Sequence, residues 1–193
     1  MSISVLCISA SPREEGNSDL LLKEAVRGAL AGGAKVEYLS LRDFQISPCV
    51  ECNACCETGV CRIKDSFQDI LEKILKADRL VFATPVFFMS VCSQAKILID
   101  RHQCLWSKKY VLKQPLYDSP RPNRRGWCIA VGGSRSKKMF DSVHMTMHYY
   151  FDTIEMEYAG DLFYNQLDEK GAVIKHPTAM EKAYELGEEA AKE

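Results

Sequence analysis

Several features that would assign a chain to a broad class of proteins are missing from this sequence of 193 residues. Its formal net charge is −1, so the chain has no strong field toward nucleic acid or an anionic membrane. No apolar segment approaches the roughly 20 residues that span a bilayer. The amino terminus also lacks the basic segment and long apolar core of a signal peptide. We therefore expect a cytoplasmic protein that binds neither nucleic acid nor membrane.

The length fits one domain over residues 1–193. A hydrophobic content of 47% and a charged content of 26% are typical of a globular protein that folds around a substantial core. Composition thus predicts an ordinary folded domain, and the function must be sought in particular motifs.

What the sequence does contain is a dense group of cysteines, because five of its nine cysteines fall within residues 49–61. Four of them follow the spacing C-x2-C-x2-C-x5-C: Cys49, Cys52, Cys55 and Cys61. Iron–sulfur clusters are held by four thiolates, often separated by such short steps. The pattern therefore predicts a loop over residues 47–62 that folds around one inorganic centre.

Other interpretations of this cysteine loop stay open. A structural zinc site usually joins two separate C-x2-C pairs, whereas here both short steps share Cys52. A disulfide framework requires an oxidising compartment, to which nothing in the sequence points. The loop could also hold no metal, and Cys56 could replace Cys55 as a ligand.

Five short apolar runs alternate with amphipathic segments along the chain. The runs predict strands over residues 3–9, 35–40, 80–84, 126–131 and 153–159. Strands that alternate with helices form a parallel α/β sheet, so we expect a doubly wound, flavodoxin-like fold with strand order 2-1-3-4-5. The cysteine loop follows the second strand and is expected at the carboxyl edge of this sheet.

The loop after the first strand has the character of a phosphate site. It joins a buried strand to a helix, where free backbone amides and the helix dipole favour an anion. Hydroxyl and amide side chains, one cation and one glycine lie in or beside it: Ser9, Ser11, Asn17, Ser18, Arg13 and Gly16. It matches neither G-x-G-x-x-G nor G-x-x-x-x-G-K-[ST]. An ordinary helix capped by Asn17 or Ser18 would explain the same residues.

Two more loops are predicted at the same edge. The third strand leads into Thr84-Pro85-Val86-Phe87-Phe88-Met89, and the fourth into Gly132-Gly133-Ser134. Parallel α/β sheets bind ligands at the carboxyl ends of their strands, and glycines permit the close approach of a flat ligand. Three loops at one edge indicate a binding site more strongly than any single loop does.

These motifs resemble the flavodoxin-like FMN reductases and the iron–sulfur flavoproteins. The first loop matches S-x-S-P-R followed by G-[NS]-[ST], and the second matches T-P-x-[YF] with a later K-x-x-[IL]-D-R that ends at Arg101. The resemblance implies that the first loop binds the FMN phosphate and that Thr84 to Met89 run along the ribityl chain and the ring. The expected FMN site comprises Ser9, Ser11, Pro12, Arg13, Gly16, Asn17, Ser18, Thr84, Pro85, Val86, Phe87, Phe88, Met89, Gly132, Gly133 and Ser134.

The cysteine motif extends the resemblance to a [4Fe-4S] cluster on Cys49, Cys52, Cys55 and Cys61. The implied function is electron transfer between a one-electron donor such as ferredoxin and a two-electron acceptor. No acid–base or nucleophilic residue stands out, and such transfer needs none. The resemblance also implies a homodimer or homotetramer in which each cluster approaches the FMN of another subunit.

Two other functions compete with this one. An NAD(P)H-dependent FMN or quinone reductase would have a metal-free cysteine loop, with Arg124, Arg125, Lys137 or Lys138 as contacts for a nicotinamide phosphate. A redox-sensing module would use oxidation of the cysteines themselves.

Two further features are ambiguous. Residues 104–125 show no clear periodicity, and they form either an insertion that covers a flavin or a neighbouring subunit, or a surface loop. His144 and His148 have a spacing that can bind metal, but without a third ligand they indicate a packed or solvated helix face. Lys96, Asp100 and Arg101 are expected to be structural.

Overall fold

The protein is built on a parallel sheet, seen in a computed structural model that describes residues 2–193. The strands are β1 (Ser4–Ser9), β2 (Lys35–Ser40), β3 (Arg79–Phe87), β4 (Ser90–Val91), β5 (Arg125–Val131) and β6 (Glu157–Tyr164). Five of them pair in parallel in the order β2-β1-β3-β5-β6, and β4 pairs antiparallel with the end of β3. This is the doubly wound arrangement that the alternating pattern predicted.

The predicted count of five strands was wrong, because β3 turns back on itself to form the short strand β4. Phe88 and Met89 form the two-residue turn with φ of 47° and 64°. Such a turn requires positive φ at both residues and normally uses Asn-Gly. Phe-Met carries no hairpin signal, so the sequence could not indicate this strand.

The predicted last strand at residues 153–159 was also misplaced. The preceding helix continues to Thr153, and its end is closed by backbone bonds from Ile154 to Tyr150 (3.2 Å) and from Met156 to Phe151 (2.9 Å). Gly160 and Asp161, which disfavour strands, lie inside β6. Because of these two residues, the sequence pattern does not indicate the full length of β6.

Helices cover both faces of the sheet. They are α1 (Asn17–Ala31), α2 (Cys55–Thr58), α3 (Phe67–Lys76), α4 (Ser93–Arg101), α5 (Gln103–Trp106), α6 (Asp141–Thr153) and α7 (Ala179–Ala190). Short 3-10 turns lie at Leu41–Asp43, Lys137–Phe140 and Ala172–Lys175. Within residues 2–193, each helix is too short or too polar to cross a membrane.

Side-chain alternation along the strands divides the core into two layers. Val5 and Cys7 of β1 face a layer that includes α1 and α7, whereas Leu6 and Ile8 face a layer that includes α3, α4 and α6. Each central strand is therefore buried on both faces, which is why the strands form nearly continuous apolar runs.

The segment expected to be irregular, residues 104–125, is largely helical at its start. Helix α5 continues into a π-helical turn at Ser107–Val111, and the chain becomes irregular only after it. Arg124 is buried and donates to the carbonyl oxygens of Ile74 (2.7 Å) and Ala77 (3.0 Å). Arg125 begins β5.

Arg124 and Arg125 thus lie at the amino edge of the sheet, opposite the ligand loops. Their suggested contact with a nicotinamide phosphate was wrong, because Arg124 binds carbonyl oxygens at the end of α3 and Arg125 pairs with Glu157 of β6 at the same amino edge.

Candidate functional site

A cavity of about 140 Å³ lies at the carboxyl edge of the sheet. It is lined by the first loop, the end of β3, the loop after β5 and the loop after β6: Ser11, Pro12, Arg13, Gly16, Asn17, Ser18, Pro85, Val86, Phe87, Val131, Gly132, Gly133, Leu167 and Asp168. We call it the edge cavity. The three loops predicted at this edge therefore meet at one site, and the loop after β6 joins them.

The first loop folds tightly onto itself. The Ser11 hydroxyl donates to the Arg13 carbonyl oxygen (2.7 Å) and accepts from the Arg13 amide (3.2 Å). A Cβ atom on Gly16 would lie 2.7 Å from Ser11 Oγ, so only glycine lets the loop close at this point. Arg42, which sequence reasoning missed, donates from Nη1 to the Ser11 carbonyl oxygen (3.0 Å). The loop is held in one shape before any ligand binds.

The amino end of α1 offers unsatisfied donors to the edge cavity. Among residues 2–193, no side chain caps this helix, and the buried Ser18 hydroxyl has no hydrogen-bond partner. Buried polar groups normally have partners, and free amides at a helix start attract anions. The first loop therefore fits a phosphate group.

Ser9 does not belong to the cavity wall, contrary to expectation. Its buried hydroxyl donates to Asp19 Oδ1 (2.7 Å), which also accepts from the Tyr38 hydroxyl (2.5 Å). Burial raises the pKa of Asp19, but these hydrogen bonds and the charge of Lys23 outweigh it and lower the pKa below its ordinary value. Asp19 Oδ2 accepts from the Glu15 amide (3.1 Å), so this charged group supports the loop from behind.

Asn17 brings a distant segment to the edge cavity. Its side-chain nitrogen donates to the carbonyl oxygens of Leu167 (3.2 Å) and Glu169 (2.9 Å), and its Oδ1 accepts from the Val173 amide (3.2 Å). These bonds place Asp168 in the cavity wall. The sequence indicated only a turn there, because a contact across 150 residues leaves no local signal.

The hairpin of β3 and β4 contributes fewer residues than predicted. Thr84 is buried, and its hydroxyl accepts from the Cys92 amide (3.2 Å), so it fixes the hairpin and does not face the cavity. Phe88 and Met89 form the exposed turn, and Ser134 lies beyond the lining residues. Pro85, Val86 and Phe87 remain at the cavity as expected.

The backbone of the loop after β5 packs closely against the Asp168 side chain. A Cβ atom on Gly133 would lie 2.9 Å from Asp168 Oδ1. Any larger residue would displace that carboxylate, so this glycine keeps the wall thin on the side that a flat ligand would approach.

The cysteines enclose a second cavity, of about 330 Å³, which we call the cysteine cavity. Its wall includes all four predicted ligands, Cys49, Cys52, Cys55 and Cys61, together with Cys104, which sequence reasoning missed. Cys56 is not part of this wall, although the Sγ atoms of Cys55 and Cys56 lie 3.5 Å and 3.6 Å from the same Ser107 hydroxyl oxygen. The geometry thus favours Cys55 over Cys56 as the third ligand.

The thiols surround a space and do not meet at a point. In the part of the chain that the structure describes, no three His, Cys, Asp or Glu side chains come close enough to hold one metal ion. A zinc ion needs every sulfur about 2.3 Å from a shared centre. The four cysteines that line this cavity are the number of ligands that an iron–sulfur cluster requires.

One buried guanidinium closes the base of the cysteine loop. Arg101 Nη1 donates to the Ser47 carbonyl oxygen and to Asp65 Oδ2, both at 2.8 Å, and Nη2 donates to the Ile63 carbonyl oxygen (3.0 Å). Burial raises the pKa of Asp65, but the hydrogen bond from Arg101 and two backbone amides outweigh it and bring the pKa to about 2. Arg101 is structural, as expected, since it ties both ends of the loop together.

The two cavities are separate within the chain. They share no lining residue, and the cysteine cavity meets α4 only near its end, at Asp100 and Arg101. Helix α4 starts just after the β4 strand and, with nine residues, extends about 13 Å. The cysteine loop leaves β2 at the expected edge, but its cysteines lie away from that edge.

The two histidines of α6 belong to neither cavity. The His144 ring stacks on Tyr158 with centroids 4.9 Å apart, and its Nδ1 lies 3.2 Å from Asp161 Oδ2. The His144 side chain is also 56% exposed, which agrees with the expected packed or solvated helix face.

The Asp65–Arg101 pair should make the free energy of unfolding depend on pH in the acid range. Because the folded pKa of Asp65 is depressed, its contribution is complete above the unfolded value near 4 and is lost as the pH falls toward about 2. Between about pH 4 and about pH 2, we expect the free energy of unfolding to fall less in Asp65→Asn than in the native chain. Urea denaturation at several pH values measures this difference. Glu185→Gln, which breaks an exposed pair, is the control and should leave the profile unchanged. Identical profiles for Asp65→Asn and the native chain would contradict this assignment.

Comparison with known proteins identifies the family of the chain. Residues 3–164 match the NADPH-dependent FMN reductase family. An iron–sulfur flavoprotein of Methanocaldococcus jannaschii is 35% identical over 159 residues, covering 82% of this chain and 77% of the relative. One from Methanosarcina thermophila is 32% identical over 144 residues, covering 73% and 71%.

A solved structure shares the fold over nearly its whole length. The NAD(P)H:quinone oxidoreductase from Methanothermobacter marburgensis superposes with a TM-score of 0.71 at 14% identity, covering 100% of this chain and 98% of that one. The chain therefore belongs to the flavodoxin-like NADPH-dependent FMN reductase family, among the iron–sulfur flavoproteins, and is a flavin-dependent oxidoreductase.

Proposed function

We propose that this flavoprotein binds FMN in the edge cavity and a [4Fe-4S] cluster in the cysteine cavity. It would pass electrons between a one-electron donor such as ferredoxin and a two-electron acceptor. The observation that carries this proposal is the convergence of Cys49, Cys52, Cys55 and Cys61 on one cavity. When bound, a cluster exchanges single electrons, whereas FMN accepts one or two.

The residues of the edge cavity fit FMN. The Ser18 hydroxyl and the first amides of α1 would hold the phosphate, with Arg13 beside it as a cation. Pro85 to Phe87 and the thin Gly132-Gly133 wall would enclose the flat ring from two sides. The fixed shape of the first loop means that little ordering is required when the phosphate binds.

The residues of the cysteine cavity fit a cluster. Short C-x2-C steps present sulfurs to a common space, and the clamp at Arg101 holds the ends of the loop together. The guanidinium also offsets the negative charge of the thiolates. The thiols must be reduced to act as ligands, which fits the proposed cytoplasmic location.

We further propose a homodimer or homotetramer in which a partner brings its FMN to this cluster. The separation of the two cavities within one chain supports this arrangement. Apolar side chains are also exposed on the hairpin turn and on α6, namely Phe88, Met145 and Tyr149. A second copy would remove these side chains from water.

An NAD(P)H-dependent FMN or quinone reductase with a metal-free cysteine loop is the alternative. Lys137 and Lys138 favour it, because they lie on the exposed 3-10 turn that follows the Gly132-Gly133 loop. A nicotinamide phosphate could meet them there, and NAD(P)H would then be the donor.

The cluster is tested by analysis of protein purified without oxygen. We expect about four iron and four sulfide per FMN in the native chain. Cys55→Ala should lose most of the iron, whereas Cys56→Ala, which removes the neighbouring half-buried thiol, should retain it. Flavin without iron after anaerobic reconstitution would favour the reductase. Equal iron loss in both variants would contradict the assignment of Cys55.

Substitution of two buried serines, each with a hydroxyl that has no hydrogen-bond partner among the described residues, tests the phosphate site. Of the two, Ser18 lines the edge cavity and Ser40 does not. A hydrogen bond to a charged group contributes about 1.5–3 kcal/mol, so Ser18→Ala should weaken FMN binding by roughly 10- to 150-fold. Ser40→Ala should leave it unchanged. Flavin fluorescence titration of apoprotein measures both, and equal affinities would refute this role of Ser18.

A further inference from the structure

We propose that Arg101 raises the reduction potential of the bound cluster by presenting a buried positive charge and a free Nε–H to the Cys61 side of the cysteine cavity. The inference rests on the proposed function, because it concerns the same cavity. It assigns Arg101 a role beyond its structural one, as a positioning residue that acts through the ligand loop.

The guanidinium is placed for this role. The Arg101 side chain is 0% exposed, and it lines the cysteine cavity together with Cys61. Its two Nη atoms are occupied by Ser47, Ile63 and Asp65. Because these bonds fix the planar fork, the guanidinium cannot turn away from the cavity.

The remaining donor of Arg101 is free. Its Nε is buried and has no hydrogen-bond partner among residues 2–193. A buried donor without a partner is unfavourable, so a sulfur acceptor in the cysteine cavity would give Arg101 Nε the hydrogen bond that it lacks. Hydrogen bonds to sulfur are a recognised means of tuning cluster potentials.

The charge of Arg101 persists despite burial. Burial lowers its pKa, but the hydrogen bond to Asp65 and the proximity of Cys61 outweigh burial and raise the pKa above its ordinary value. Among the other charged residues of the cavity wall, Glu51 and Arg62 are exposed, and Asp100 is partly exposed and pairs with Lys96 at the surface, so water screens all three. Arg101 is therefore the cation with the least screening at this cavity.

A fixed positive charge favours whichever cluster state is more negative, which is the reduced state. Removing the charge should lower the cluster potential. Asp65, which lies 2.8 Å from Arg101, opposes the effect with its own negative charge, so neutralising Asp65 should raise the potential. The two partners of one ion pair are thus expected to shift the potential in opposite directions.

The experiment is a redox titration of anaerobically loaded protein, with the cluster followed by EPR and the FMN by visible absorption. Arg101→Gln should lower the cluster potential, and Arg101→Lys should lower it less, since the charge remains but the fork is lost. Asp65→Asn should raise it while keeping an acceptor for the α3 amide at Phe67. The FMN potential should stay constant in every variant.

Lys182→Gln is the matched control. It removes an equal charge, but Lys182 is half exposed and pairs with Glu185 on α7, and neither residue lines the cysteine cavity. The cluster potential of this variant should equal that of the native chain.

The outcomes separate the inference from the proposed function. Equal potentials in all loaded variants, or shifts of the same sign in Arg101→Gln and Asp65→Asn, would overturn the tuning role while leaving the cluster in place. If Arg101→Gln fails to take up iron, Asp65→Asn decides: a raised potential supports the role and an unchanged one overturns it. A native chain that binds no iron would contradict the proposed function itself, and this inference with it.

Discussion

The Arg101 guanidinium joins parts of the chain that are distant in sequence. It binds the carbonyl groups of Ser47 and Ile63, which flank the cysteines, and Asp65, whose carboxylate also accepts from the Phe67 amide at the start of α3. A loop this exposed has few apolar contacts of its own, so its shape depends on these bonds. The cysteine cavity, the end of α4 and the start of α3 are therefore held together by one buried ion pair.

The loops of the edge cavity are likewise held in place by buried polar side chains. Buried Asp19 collects hydrogen bonds from Ser9 and Tyr38 and from the Glu15 amide, while Asn17 reaches across to the loop after β6. These bonds stabilise the loop shape before ligand binding and leave the Ser18 hydroxyl free. In each cavity, a charged residue with several hydrogen bonds holds the loops in place. A neighbouring polar atom, Ser18 Oγ or Arg101 Nε, has no partner within the described residues and is available to a ligand.

Local patterns were enough to predict the parallel sheet and three of the loops that form the edge cavity, but not the loop after β6. The cysteine spacing likewise indicated which thiols share a cavity, but not that Cys104 of α5 joins them. Ser9 and Thr84 have the right chemistry for ligands, yet burial turns their hydroxyls toward Asp19 and Cys92. These errors have one cause: contacts between distant segments decide where a side chain points, and no local pattern records them.

The central claim is that one chain holds two redox groups in separate cavities. The most direct measurement is an anaerobic reductive titration that counts electrons per chain, on protein never exposed to air. The account predicts about three electrons, one for a cluster and two for FMN, with both visible absorptions bleached. Uptake of about two electrons, with bleaching of the flavin alone, would show that the cysteine cavity holds no redox group and would contradict the account.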